Sequence, residues 1–145
     1  MRRCAMRTFG PQLSLFSLTI AATISLACGS AAHIPQSVVV NPATANAEDH
    51  PGFDVQFTAT VYYKTKPSPV SPEPANWSAC YQGMPSDGVS VSNSGVAQCM
   101  SDASGVYTVY AFVANPAEKG ICGGGSAPCG GTCGGVVGMA QLTCP

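Results

Sequence analysis

Charge is scarce in this chain of 145 residues, because Asp, Glu, Lys and Arg together make up only 9% of it. Three of the six basic residues, Arg2, Arg3 and Arg7, lie within the first seven positions, which leaves no basic patch in the remainder. Proteins recognise nucleic acids through clusters of Lys and Arg. The sequence therefore predicts a protein without a nucleic-acid partner.

Groups of residues that catalyse reactions are also missing from the sequence. The two histidines, His33 and His50, lie near no plausible nucleophile, and the acidic residues are not clustered in a way that would tune pKa values for acid–base catalysis. The acidic turn at residues 48–50 and Asp54 offer too few oxygen ligands for Ca²⁺, which takes roughly six to eight. The sequence predicts no enzyme, no resident metal and no cofactor.

The longest apolar run lies at the start of the chain. Residues 13–27 (LSLFSLTIAATISLA) follow the three arginines, and a positive segment followed by a short apolar one is typical of a secretory signal peptide. The run is shorter than the roughly 20 residues that a membrane-spanning helix needs. We therefore expect residues 1–27 to be a signal peptide and the rest of the chain to be exported.

A cysteine follows directly after this apolar run. Residues 26–30 (LACGS) resemble a bacterial lipobox, which implies that Cys28 becomes the lipidated first residue of the mature protein. Residues 28–36 would then form a tether to the membrane. Ser25 stands where a lipobox usually has Leu. Ordinary cleavage a few residues further on is the alternative, and it would give a soluble secreted or periplasmic protein.

Six further cysteines lie in the exported part of the chain, at Cys80, Cys99, Cys122, Cys129, Cys133 and Cys144. An even number of cysteines in an oxidising compartment indicates disulfides, here three. A metal site built from the last four cysteines is the alternative. A structural zinc site has two closely spaced pairs, however, and only Cys129 and Cys133 come near such a spacing. We therefore expect disulfides.

Two long stretches alternate apolar and polar residues, at positions 53–63 (FDVQFTATVYY) and 105–114 (GVYTVYAFVA). A period of two is the pattern of a strand with one face on a core and the other in water. We expect the first stretch to be one continuous, central strand. The core residues predicted on the inward faces of the two stretches are Phe53, Val55, Phe57, Tyr107, Val109 and Val113.

Shorter strands are predicted at residues 37–41, 76–80, 89–92, 96–100 and 136–144. The segment at residues 64–74 (KTKPSPVSPEP) contains too many prolines to pair as an internal strand, and we expect an exposed connection there. About seven antiparallel strands with frequent turns and no helix predict an all-β, immunoglobulin-like β-sandwich. This domain would cover residues 37–145.

Several motifs follow the order and spacing of a known family. They are VQFTA at residues 55–59, NWS at residues 76–78 and GVYTVYA at residues 105–111. The chain thereby resembles the bacterial immunoglobulin-like (group 2) domains. The resemblance implies that Trp77 packs in the core between two sheets. It also implies an accessory domain of a surface or secreted bacterial protein, which spaces, presents or adheres. The sequence leaves open whether there is a protein or a glycan partner.

A Gly- and Cys-rich stretch at residues 120–135 (GICGGGSAPCGGTCGG) departs from the family pattern before the last strand. It has the position of the F–G loop, where such sandwiches place recognition, although a merely stabilised connection is the alternative. We expect Cys80 to pair with Cys99, and the last four cysteines to join this loop to itself and to the last strand. Packing alone would then hold the sheets together, because the inward positions Phe57 and Val109 are apolar.

Two hypotheses for the function follow. The first is a non-catalytic cell-envelope lipoprotein that carries one immunoglobulin-like domain for adhesion, spacing or envelope structure, with its membrane contact made through a lipid at Cys28. The alternative is a metal-binding or enzymatic accessory protein that uses the Cys-rich loop at residues 120–135. The near absence of clustered His, Asp and Glu favours the first hypothesis.

Overall fold

The computed structural model describes residues 33–117, residue 129 and residues 134–145. This part of the chain is all-β, as predicted, with short 3₁₀ turns at Ala47–Asp49 and Pro51–Phe53. The strands are β1 (Pro35–Asn41), β2 (Thr44–Asn46), β3 (Asp54–Gln56), β4 (Thr58–Tyr63), β5 (Asn76–Tyr81), β6 (Met84–Pro85), β7 (Val89–Val91), β8 (Val96–Cys99), β9 (Gly105–Ala114) and β10 (Gly135–Cys144).

The strands pair in one large sheet and two smaller ones. The large sheet has five strands in the order β2-β10-β9-β5-β6, and its pairs are antiparallel except β2 with β10. The smaller sheets are β1-β4 and β3-β8-β7, which the chain connects through Phe57 between β3 and β4. Buried side chains from both sides, such as Val61 of β4 and Val109 of β9, form one hydrophobic core.

The prediction of one continuous strand at residues 53–63 is wrong. Phe53 ends a 3₁₀ turn with φ at 59°, and its side chain is 46% exposed, so it does not belong to the core. Beyond it, β3 pairs with β8, whereas β4 pairs with β1. Phe57 lies at the change of partner, and its N–H donates to the carbonyl oxygen of Gly95 at 2.8 Å. The stretch divides because its two halves pair with different strands.

The second long stretch is a single strand with the predicted bounds. β9 pairs along its length with β10 and over six residues with β5, so it lies inside the five-stranded sheet. Tyr107 and Val109 are buried, as are Val55 and Phe57 of the first stretch, in agreement with the predicted core. Val113 is half-buried against the same core.

The fold begins before the predicted domain start at residue 37. Strand β1 starts at Pro35, and the backbone N–H of Lys64 donates to the carbonyl oxygen of Ile34 at 3.0 Å. The last residues of the expected tether are therefore part of the domain. The Pro-rich connection at residues 64–74 forms no strand, but Val70 exchanges two backbone hydrogen bonds with Val61.

The two disulfides of the described residues contradict the expected pairing. Cys99 is bonded to Cys144 and Cys80 to Cys129, each with Cα atoms 5.8 Å apart. Ala79 packs in the core, so its neighbour Cys80 points to the opposite face of the sheet, whereas Cys99 packs against the core. Cys80 and Cys99 therefore do not meet.

The bond between Cys99 and Cys144 also joins β8 to β10 and hence links the two sides of the core. The expectation that packing alone holds the sheets together is thus wrong as well. Cys122 and Cys133, which the prediction of three disulfides also included, lie outside the described residues, as do residues 1–27 and Cys28.

Candidate functional site

A groove of about 450 Å³ opens where four parts of the chain meet. The β3–β4 stretch, the Pro-rich connection, the start of β5 and the turn between β7 and β8 each contribute to its wall. The residues that line it are Gln56, Phe57, Thr58, Ala59, Pro72, Glu73, Pro74, Trp77, Asn93 and Ser94. We refer to this cavity as the Trp77 groove.

Trp77 reaches the groove from the inner face of β5. It pairs with Ala111 of β9 and lies on the same face of β5 as Ala79, which is buried in the core. The indole is half-buried against the core and also lines the groove, so the predicted core position is correct only in part.

The indole can pack so closely to the β7–β8 turn only because residue 95 is a glycine. Gly95 has a φ of 83°, and a Cβ atom there would lie 2.9 Å from Cζ2 of Trp77 and closer still to the carbonyl oxygen of Phe57. Such distances leave no room for a side chain. Gly95 therefore supports both the ring and the backbone hydrogen bond that its carbonyl group accepts from Phe57.

Glu73 is held at the groove by two hydrogen bonds. Its backbone N–H donates to the carbonyl oxygen of Ala59 at 3.0 Å, and its Oε1 accepts from the hydroxyl of Tyr63 at 2.7 Å. Burial, together with the hydrogen bond to Glu73 and the charge of its carboxylate, raises the pKa of Tyr63 to about 12. The ring of His33 stacks on Tyr63 with centroids 4.1 Å apart.

Gln56 joins the first long stretch to the turn before β8. Its Nε2 donates to the carbonyl oxygen of Phe57 at 2.7 Å and to that of Ser94 at 2.8 Å. Both donors of this amide are therefore engaged within the protein. Glu73 is the one ionisable side chain among the residues that line the groove.

Neither the described cysteines nor the acidic residues at positions 48, 49 and 54 are among the residues that line the Trp77 groove. Within the described residues, no three His, Cys, Asp or Glu side chains are grouped so that they could hold a metal ion. Cys129 and Cys144 are in disulfides and cannot act as thiolate ligands, which argues against a four-cysteine metal site. Sequence reasoning singled out Trp77 but missed Gln56 and Glu73, because the groove forms from segments that are distant along the chain.

The Cys-rich segment before β10 is attached to the outer face of the five-stranded sheet through the bond of Cys129 to Cys80. Phe112 lies on the same face as Cys80 and is only 6% exposed, although it is outside the core cluster. A Cβ atom at Gly135 would lie 2.6 Å from this phenyl ring, so the two residues are in close contact. The outer face of the sheet thus carries its own small buried cluster.

A comparison of the sequence with models of protein families finds no match, and a search among curated proteins finds no significant match either. No helix within residues 33–117 and 134–145 is long and apolar enough to cross a membrane. The two disulfides indicate an oxidising, extracytoplasmic environment.

Proposed function

We propose that this chain is an exported, non-catalytic cell-envelope protein with one immunoglobulin-like domain that serves adhesion, spacing or envelope structure. The observation that carries the proposal is the presence of two disulfides, Cys80–Cys129 and Cys99–Cys144, in an all-β domain. Such bonds form and persist outside the reducing cytoplasm. A small domain with few charges gains more from them than from surface ion pairs.

The order of the strands supports the immunoglobulin-like assignment. In that fold, strands A, B, E and D form one sheet, and strands C, F and G form the other. Here strand A corresponds to β1, strand B to β4 together with β3, strand E to β8 and strand D to β7. Strands C, F and G correspond to β5, β9 and β10. The short β6 beside β5 has the place of strand C′ in the variable-type fold.

Anchoring through a lipid at Cys28 is the proposed mode of attachment. The motif at residues 26–30 supports it, and so does the short distance along the chain from Cys28 to the start of β1 at Pro35. At roughly 3.3 Å per residue, this segment can hold the domain no more than a few tens of ångströms from a membrane. Such a protein would act close to the membrane surface.

Metabolic labelling with a palmitate analogue tests this proposal, with Cys28→Ala as the matched control. The wild-type protein is expected to carry the label and to sediment with membranes, and the variant is expected to lose the label. Thiol trapping before lysis is expected to leave Cys80 and Cys99 unmodified. An unlabelled, soluble wild-type protein would refute the anchor, and free thiols at these two positions would refute export.

A further inference from the structure

We propose that the Trp77 groove binds a basic side chain, Arg or Lys, of a partner protein, with the Trp77 ring and the Glu73 carboxylate as its two main contacts. Both residues line the same cavity of about 450 Å³. The proposal depends on the geometry of the groove and does not depend on how the protein is anchored, so the two can fail separately.

The first argument is the character of the aromatic wall. A cation is attracted to the face of an aromatic ring, and Trp is the strongest of the aromatic side chains in this respect. Trp77 is half-buried at the groove with its ring supported by Gly95, so its position is already set before a ligand enters. A preorganised contact loses little entropy on binding.

The second argument is the carboxylate of Glu73. It is half-buried, and among the described residues no Lys, Arg or His forms an ion pair with it. The hydroxyl of Tyr63 occupies one side of Oε1 and fixes the direction of the carboxylate, which leaves acceptor sites for a further donor. A charged donor would bind such a carboxylate more strongly than a neutral one.

The third argument is that some donors in the wall of the groove are already engaged or absent. Both N–H groups of the Gln56 amide are engaged by backbone oxygens, and Pro72 and Pro74 have no backbone N–H. Lys and Arg side chains carry donors only, whereas a sugar hydroxyl both donates and accepts. The Glu73 carboxylate, which can only accept, therefore matches a Lys or Arg side chain, which can only donate.

The net charge of the chain also favours a cationic ligand. Beyond its first seven positions the chain has three Lys and no Arg, against seven Asp and Glu. A negative field of this kind draws cationic partners toward the surface and increases their rate of association. Binding should accordingly weaken as the salt concentration rises.

The single Trp of the chain provides the measurement, because its fluorescence reports on this groove alone. N-acetyl-arginine amide is titrated against the mature protein, and N-acetyl-citrulline amide, which has nearly the same shape without the charge, is the matched ligand. We expect a saturable fluorescence change with the arginine compound and none with the citrulline compound.

Two variants test the role of the carboxylate. Glu73→Gln removes the charge and keeps an oxygen that can accept from Tyr63, and it is expected to weaken binding roughly tenfold. Asp102→Asn removes the same charge from an exposed turn outside the groove, and its affinity is expected to stay within about twofold of the wild-type value. Unfolding midpoints of both variants verify that the fold is retained.

Three results would overturn the proposal. They are an equal response to the citrulline compound, an affinity for the arginine compound that Glu73→Gln leaves unchanged, and saturable binding of N-acetylglucosamine without binding of the arginine compound. None of these results would bear on labelling at Cys28, so failure of the groove proposal is distinguishable from failure of the proposed anchor.

Discussion

Two stretches of this protein have nearly the same pattern in sequence and different structures. Residues 105–114 form the single strand β9, whereas residues 53–63 divide into the end of a 3₁₀ turn, the strand β3 and the strand β4. Both stretches alternate apolar and polar side chains, and both contribute buried residues to the core. The difference lies in their neighbours, because β9 keeps β10 beside it along its whole length while β3 and β4 pair with different strands.

The comparison shows that alternating apolar and polar residues indicate that one face of the stretch is buried. The alternation does not indicate whether the stretch pairs with the same neighbouring strand along its whole length. Phe57 keeps its inward direction and is fully buried, although it is in neither β3 nor β4. Its backbone N–H finds an acceptor in Gly95 instead of a ladder partner. A buried N–H needs such an acceptor, so the division of the strand leaves no unsatisfied donor at this point.

The largest effect is expected at the two phenylalanines of the divided stretch. Phe57→Ala should lower the free energy of unfolding by about 3–5 kcal/mol, because the ring is completely buried. Phe53→Ala should cost no more than about 1 kcal/mol, because its ring is 46% exposed. Denaturant unfolding measures both. Equal losses would mean that residues 53–63 form one continuous buried strand after all.

The disulfide between Cys99 and Cys144 connects β8, which pairs with β3, to β10, which pairs with β9. Replacing both cysteines by Ala should lower the free energy of unfolding by about 2–5 kcal/mol. Loss of Cys80 and Cys129 together is the matched comparison, since the two bonds span 45 and 49 residues. Because the two closed loops are of similar length, the entropy of loop closure predicts a similar loss of unfolding free energy for both double variants. A loss below about 1 kcal/mol for the Cys99–Cys144 pair would contradict its role as a link between the sheets.

Gly95→Ala tests the turn that accepts the hydrogen bond from Phe57. We expect a loss of about 2–3 kcal/mol, because the φ of 83° is combined with close contacts to Phe57 and Trp77. Gly83→Ala is the control, since Gly83 has a φ of 81° with open space around it, and it should lose only about 1 kcal/mol. If both variants lose the same amount, backbone strain alone explains the effect.

The smallest effect concerns Tyr63, at the end of the divided stretch. Its pKa in the folded protein is about 12, above the ordinary value of 10.0, so the corresponding stability is complete below pH 10 and is lost as the pH rises from 10 to 12. Glu73→Gln should lower this pKa without restoring 10.0, because burial remains. Tyrosinate absorbance follows the titration, and Tyr63→Phe should remove the ionisation step near pH 12. If that step persists in Tyr63→Phe, it belongs to another tyrosine.

The candidate site was less predictable from the sequence than the strands. Trp77 is conspicuous as the only tryptophan, but nothing local to it indicates Gln56 or Glu73 as neighbours. Gln56 reaches Ser94 across 38 positions, and Glu73 reaches Ala59 and Tyr63 through the Pro-rich connection. Contacts of this kind depend on how loops pack at the end of the sheets. The disulfide pairing was mispredicted for the same reason.

The sequence by itself determined the strand β9 and the inward direction of Val55, Phe57, Tyr107 and Val109. These features depend on the period of two, which acts between residues close in the chain. Only the tertiary structure decided that Phe53 is exposed, that the first stretch divides at Phe57, which cysteines are bonded and where the Trp77 groove lies. Each of those depends on which strands become neighbours, and burial of the whole core, rather than any local pattern, selects that arrangement.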